Sequence, residues 1–152
     1  MDSAIALFLL LLVGSLALSL LLRFRLRRLR DRLRRRIGAR FPDTEMLKLD
    51  LYANFFGVRS RGFNQIRGMG GLVLTPQYLY FLRAAPQKEF AIPLDAIHRI
   101  DYPRQFLGKS ILYPLLRVTY TLDGEEEEIA WAVRQPQEWG KVIARAIAPT
   151  RA

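Results

Sequence analysis

Apolar and polar positions change their spacing along this chain, and each change marks an element. From Ala4 to Leu22 no charged residue occurs, and thirteen of these nineteen positions are Leu, Ile, Val or Phe. At about 1.5 Å per residue a helix of that length reaches roughly 28 Å, close to the thickness of a hydrocarbon core. After it, Leu22, Leu26, Leu29, Leu33 and Ile37 recur at the spacing of one helix face, with arginines on the other faces. Gly38 is expected to stop this second helical segment, 23–40, and Phe41-Pro42-Asp43-Thr44 to open a linker over 41–51.

From Tyr52 the pattern turns to short β-type runs broken by turn residues. Strands are expected over Tyr52 to Arg59, Gly71 to Thr75, Tyr78 to Arg83, Phe90 to Leu94, Leu115 to Leu122 and Glu127 to Val133. Leu116, Val118, Tyr120 and Leu122 alternate with Arg117, Thr119 and Thr121, which gives one buried face. Asp123-Gly124 then signals a two-residue hairpin. Trp139, Val142, Ile143, Ala146 and Ile147 fall at i, i+3, i+4, i+7 and i+8, the pattern of an amphipathic helix. Pro136 suits its first turn, Glu138 its N-terminal dipole, and Pro149 its end. The class is therefore α+β: two consecutive helical segments, then a sheet domain over 52–148 closed by a helix.

Charge sharpens the N-terminal half. Of the +10 formal charge, residues 23–40 supply +9, from ten arginines against Asp31. The domain beyond is near +2 and has little general attraction for polyanions. A cleaved signal peptide needs a basic start and a small-residue cleavage site. Here Asp2 precedes the apolar run and Leu-Leu-Leu-Arg ends it, so an uncleaved single-pass transmembrane helix over 4–22 is expected in place of a signal or a buried core helix. Basic residues gather on the cytoplasmic flank of a span, which puts the C-terminal domain in the cytoplasm.

Arg23, Arg25, Arg27, Arg28, Arg30, Arg32, Arg34, Arg35 and Arg36 are expected to contact anionic lipid while the leucines face acyl chains. The bland alternative makes these arginines a topology signal only. Nucleic acid is disfavoured as a specific partner because no aromatic stacking platform accompanies the run. Self-association through the leucine seam would rest on two to three heptads, marginal for a coiled coil.

The stretch Gly71-Leu72-Val73-Leu74-Thr75, then Tyr78-Leu79-Tyr80-Phe81, Ile92-Pro93-Leu94 with Ile97 and Ile100, and Leu116 with Val118 resembles the GRAM-type pleckstrin-homology-like pattern. The resemblance covers roughly 53–147, including Trp131 and the closing helix with Trp139. It implies a seven-stranded, two-sheet barrel capped by a C-terminal helix, a fold that places proteins at membranes or against partners. Some members bind phosphoinositides through basic residues near the first two strands, which implies Arg59, Arg61 and Arg67 as possible headgroup contacts. Three loop arginines are also commonly just solvated.

Chemistry is sparse. There is no cysteine, which excludes disulfides, thiolate metal sites and a cysteine nucleophile. His98, flanked by Asp95 and Asp101, supplies one ligand where zinc needs three or four, and no partner motif accompanies it. Gly68-Met69-Gly70-Gly71 lacks the Lys and Ser or Thr of a phosphate loop and reads as a turn. Glu125 to Glu128 reads as a solvated strand end that discourages edge pairing, with a fold-back onto the arginine helix as a sharper alternative. The expectation is a non-catalytic, membrane-anchored adaptor without cofactor or metal, presenting its domain to a protein partner. The alternative is a lipid sensor whose barrel binds anionic headgroups.

Overall fold

The computed structural model describes residues 2–151. The chain divides into two compact units, the first ending at Arg32 and the second beginning at Leu33. α1 (Asp2–Arg40) is one uninterrupted helix that continues through Gly38. It ends where the Phe41 N–H donates to Ile37 O at 2.8 Å, just before Pro42. Within the first unit its most apolar eighteen-residue window is wholly exposed, and by length and composition it could cross a bilayer.

The second unit holds β1 (Lys48–Val58), β2 (Gly68–Leu74), β3 (Tyr78–Arg83), β4 (Lys88–Pro93), β5 (Ile97–Asp101), β6 (Gln105–Phe106), β7 (Lys109–Ser110), β8 (Leu116–Leu122), β9 (Glu125–Ala132) and α2 (Pro136–Ile147). Seven strands form one antiparallel sheet in the order β4-β3-β2-β1-β9-β8-β5, and β6 pairs with β7 separately. The class is α+β as expected: a long N-terminal helix, a seven-stranded antiparallel sheet and a C-terminal helix.

β1 is the strand around which the sheet bends. Its first part pairs with β2 and its last part with β9, with register shifts between Asp50 and Ala53 and between Phe55 and Gly57. The buried Asp50 side chain holds the first shift, accepting the Tyr52 N–H at 2.7 Å and the Arg134 N–H at 3.3 Å. Gly57, at φ 141°, makes the second, and a Cβ there would meet Leu107 Cδ1 at 2.7 Å. The expected linker 41–51 is shorter than that, because its last four residues, Lys48 to Leu51, already belong to β1. Its first half is also engaged, since Phe41 stacks edge-on against Tyr80 with ring centroids 5.0 Å apart.

Alternation distributes the strands' side chains to two faces. Phe55, Leu72, Leu74, Leu79, Phe81, Val118, Ile129 and Trp131 join Trp139, Ile143 and Ile147 of α2 in the main core. On the other face Val73, Tyr80 and Leu82 are covered by Leu33 and Ile37, the last apolar positions of α1. Further along that face Phe56 and Ala130 are covered by Phe106 and Leu115, from the segment that carries β6 and β7. Covering both faces explains why the β2 run Leu72-Val73-Leu74 is apolar without alternation.

Candidate functional site

The arginine run divides between the two units. In the first, Arg23, Arg25, Arg27, Arg28 and Arg32 are exposed, Arg30 is half-buried, and the Arg28 guanidinium stands 4.2 Å from the Phe24 ring centroid. In the second, Arg34 pairs with Asp43 at 2.9 Å, Arg36 donates to Gln87, and Arg35 is exposed. Arg40 lies 3.9 Å from Glu89 and 5.4 Å from the Tyr80 ring centroid. Leu33 and Ile37, expected to face acyl chains, are buried against the sheet instead. Periodicity identifies a helix's apolar face but not what covers it. Burial and the Glu89 charge push the Tyr80 hydroxyl up to about 12 against the opposing pull of Arg40.

The loop joining β1 to β2 carries Arg59, Arg61 and Arg67, and each has a different contact. Arg59 binds Glu128 at 2.9 Å, Arg61 stands 5.7 Å from the Phe90 ring centroid, and Arg67 stands 4.5 Å from that of Phe56 while donating to Ser110 O at 3.3 Å. They do not converge on one anion. The loop is clamped by Gln65, whose amide donates to Val58 O at 2.6 Å and Gly62 O at 2.7 Å and accepts the Val58 N–H at 2.9 Å. Lys109 of β7 reaches across to Gln65 O and to Phe56 O at 3.4 Å, and burial, then the Arg67 charge, lowers its pKa.

The strongest charge cluster was not legible as a site. Glu128, 6% exposed at its side chain, accepts Arg59, Arg99 at 3.0 Å and Arg117 at 3.3 Å. Arg117 also forks onto Asp101 at 2.7 and 2.5 Å. That hydrogen bond, reinforced by the Arg117 and Arg99 charges, holds the Asp101 carboxyl below the usual carboxylate range despite partial burial. Three guanidinium groups face two carboxylates, so the cluster keeps one formal positive charge. Beside it, Arg59, Gly62, Phe63, Gln105, Leu107 and Arg117 help line an open cleft of about 470 Å³.

Glu128 therefore departs from the expected solvated strand end, whereas Glu125 and Glu126 are exposed. Glu126 lies 3.4 Å from His98 Nε2 and Glu127 accepts the Ser60 N–H at 3.1 Å, so the glutamate run finds its partners among the strands and the β1–β2 loop. His98 also sits 3.2 Å from Thr121 Oγ1 on an exposed face. Among the described residues no three His, Asp or Glu side chains are grouped with metal-ligating geometry. Gly68-Met69-Gly70-Gly71 is corrected from a turn to the start of β2. Its glycines permit close approach, since a Cβ on Gly70 would strike Leu82 O and one on Gly71 would strike Ile37.

No protein-family model and no curated protein sequence matches the chain. Among solved structures, one described as the "C-terminal domain of an unknown protein from Leishmania infantum" aligns at a TM-score of 0.49 and 17% identity, over 73% of this chain and 94% of that one.

Proposed function

We propose that the protein is a single-pass, membrane-anchored adaptor whose C-terminal domain, of pleckstrin-homology-like type, is held at the cytoplasmic face and binds a protein partner without catalysing a reaction. The observation that carries this reading is the exposed, charge-free apolar stretch 4–22 followed at once by the arginine run. An apolar surface of that extent on a helix needs a nonpolar surrounding, and the one-sided arginines orient it. The sheet order β4-β3-β2-β1-β9-β8-β5, bent at β1 and closed by α2, supports the fold assignment.

The test is alkaline extraction of membranes carrying the full chain, with protease applied from each side. Retention in the membrane, with the domain cleaved only from the cytoplasmic side, is expected. Release by alkali, or a mature chain beginning after residue 22, would end the anchor reading.

A second reading, the barrel as a sensor of anionic headgroups, is favoured by the cleft beside Arg59 and Arg117 with its one surplus positive charge. Binding of a soluble inositol phosphate to the full chain, lost in Arg117→Gln, is its expected signature.

A further inference from the structure

The seven-stranded sheet ends at β4 on one side and at β5 on the other, and the two edges are finished differently. β4 carries Lys88, Glu89 and Pro93, residue types that discourage a further strand. β5 carries Arg99 and Asp101, but both are engaged by partners within the sheet, Arg99 by Glu128 at 3.0 Å and Asp101 by Arg117. Beside β5 lies an open groove of about 380 Å³, lined by Ile97, His98, Arg99 and Ile100 of the strand and by Ala144 and Ile147 of α2. Ile97 and Ile147 are buried, and the exposed Ala144 presents only a methyl group on the helix side.

We infer that this groove takes an extended segment of a partner protein, which adds a strand to β5 and alternates apolar with acidic residues. A sheet edge is a hydrogen-bonding template for an extended chain, so backbone pairing supplies affinity while the groove selects side chains. Side chains of the added strand point alternately to two faces. One set meets Ile97, Ile100, Ala144 and Ile147. The other meets Arg99, whose side chain is 53% exposed and shares Glu128 with two further guanidinium groups. No Asp or Glu follows Glu138 in the chain, whereas Lys141 and Arg145 do, so the helix side is basic as well. The groove shares no lining residue with the cleft beside Arg117. The inference rests on the adaptor reading, whose partner it describes.

The test uses the full chain in phosphatidylcholine nanodiscs to select from a displayed library of random ten-residue peptides. The enriched sequences, synthesised, are expected to alternate apolar and acidic positions and to bind more weakly as salt rises. Methylating their backbone nitrogens at alternate positions separates the two edges of the bound strand. One set of methyl groups should abolish binding and the other should leave it, because successive N–H groups of a strand point to opposite edges.

Ala144→Trp, at an exposed position, should fill the groove and abolish binding, and Arg99→Gln should weaken it several-fold. If Ala144→Trp does not fold, the methylation pattern decides alone, and equal tolerance of both sets would overturn strand addition. Peptides that ignore Ala144→Trp, including acidic ones held by the arginines of α1, would sink the groove and keep a protein partner. Failure to enrich any sequence, or enrichment of peptides with helical spacing of apolar residues, would end the inference as well. A dimer of the chain disrupted by Ala144→Trp would replace the peptide with a second copy as the occupant. Alkaline extraction tests the anchor independently, so release there with peptide binding intact sinks the anchor reading alone.

Discussion

A Cβ on Gly71 would fall inside the van der Waals shell of Ile37 Cδ1. The end of α1 therefore seats on β2 only because that strand has no side chain at this point. Gly71→Ala should destabilise the second unit by about 1–3 kcal/mol through overpacking. Ile37→Ala should cost about 2–5 kcal/mol through the cavity it leaves. Because the first penalty is a clash with Ile37, the double variant should be distinctly less destabilised than the sum, which a denaturant-unfolding cycle would read.

Tyr80 lies in the same contact, and its pKa of about 12 fixes the sign of an alkaline transition. A tyrosine in the unfolded chain ionises near 10, so the native state holds this proton more tightly. The resulting stabilisation is complete below about pH 10 and disappears as pH rises through the native value. Burial also raises the Tyr120 hydroxyl, so Tyr80→Phe should reduce this limb of the stability profile and leave the part due to Tyr120, and tyrosinate absorbance in the parent protein should show both groups titrating late.

Asp101 produces the opposite dependence. Its carboxyl is held below its ordinary value chiefly by the Arg117 hydrogen bond. The contribution is present above the unfolded-state value near 3.9 and is lost as pH falls through the lower native one. Acid unfolding of Arg117→Gln should begin at higher pH than that of the parent and lose the Asp101 component.

Glu128→Gln would leave Arg59, Arg99 and Arg117 without their shared buried carboxylate. A loss of about 1–3 kcal/mol is expected, the cost of buried hydrogen bonds removed, because Arg59 and Arg99 are more than half exposed and Arg117 keeps Asp101. Glu125→Gln, on an exposed side chain, should change stability by less than about 0.5 kcal/mol. Thermal unfolding of the two variants side by side tests the contrast.

Gln65→Ala removes three side-chain hydrogen bonds that close the β1–β2 loop. Destabilisation of about 1–3 kcal/mol is expected, with faster amide exchange concentrated at 59–67. Exchange spread evenly over the sheet would contradict a local clamp.

Where the chain repeats a period, the sequence was readable. The alternation in β8 and the helical spacing in α2 both appear in the fold, and Asp123 and Gly124 adopt positive φ values of 52° and 81°, as the hairpin signal requires. The misses have physical causes. β6 and β7 are two residues each and turn through Leu107 at φ 49°, a conformation that no propensity assigns to leucine. β5, with His98 and Arg99, resembles a loop because only one of its faces meets the core. Leu33 and Ile37 carry the same helical spacing as Leu26 and Leu29, and only the glycine across from Ile37 reveals their destination. The Glu128 cluster unites residues far apart in sequence, from the β1–β2 loop, β5, β8 and β9, which no local pattern joins.

β1 also sets an order of events for the folding chain. Its pairing with β2 closes across one short loop, whereas the pairing of Asn54 with Ala132 waits until nearly the whole domain exists. The β1–β4 meander can zip locally, while the β1–β9 seam is the long-range closure that limits the rate. During synthesis the β9-facing edge of β1 stays unpaired until the last strand arrives. In that interval it is the segment most open to pairing with another nascent chain.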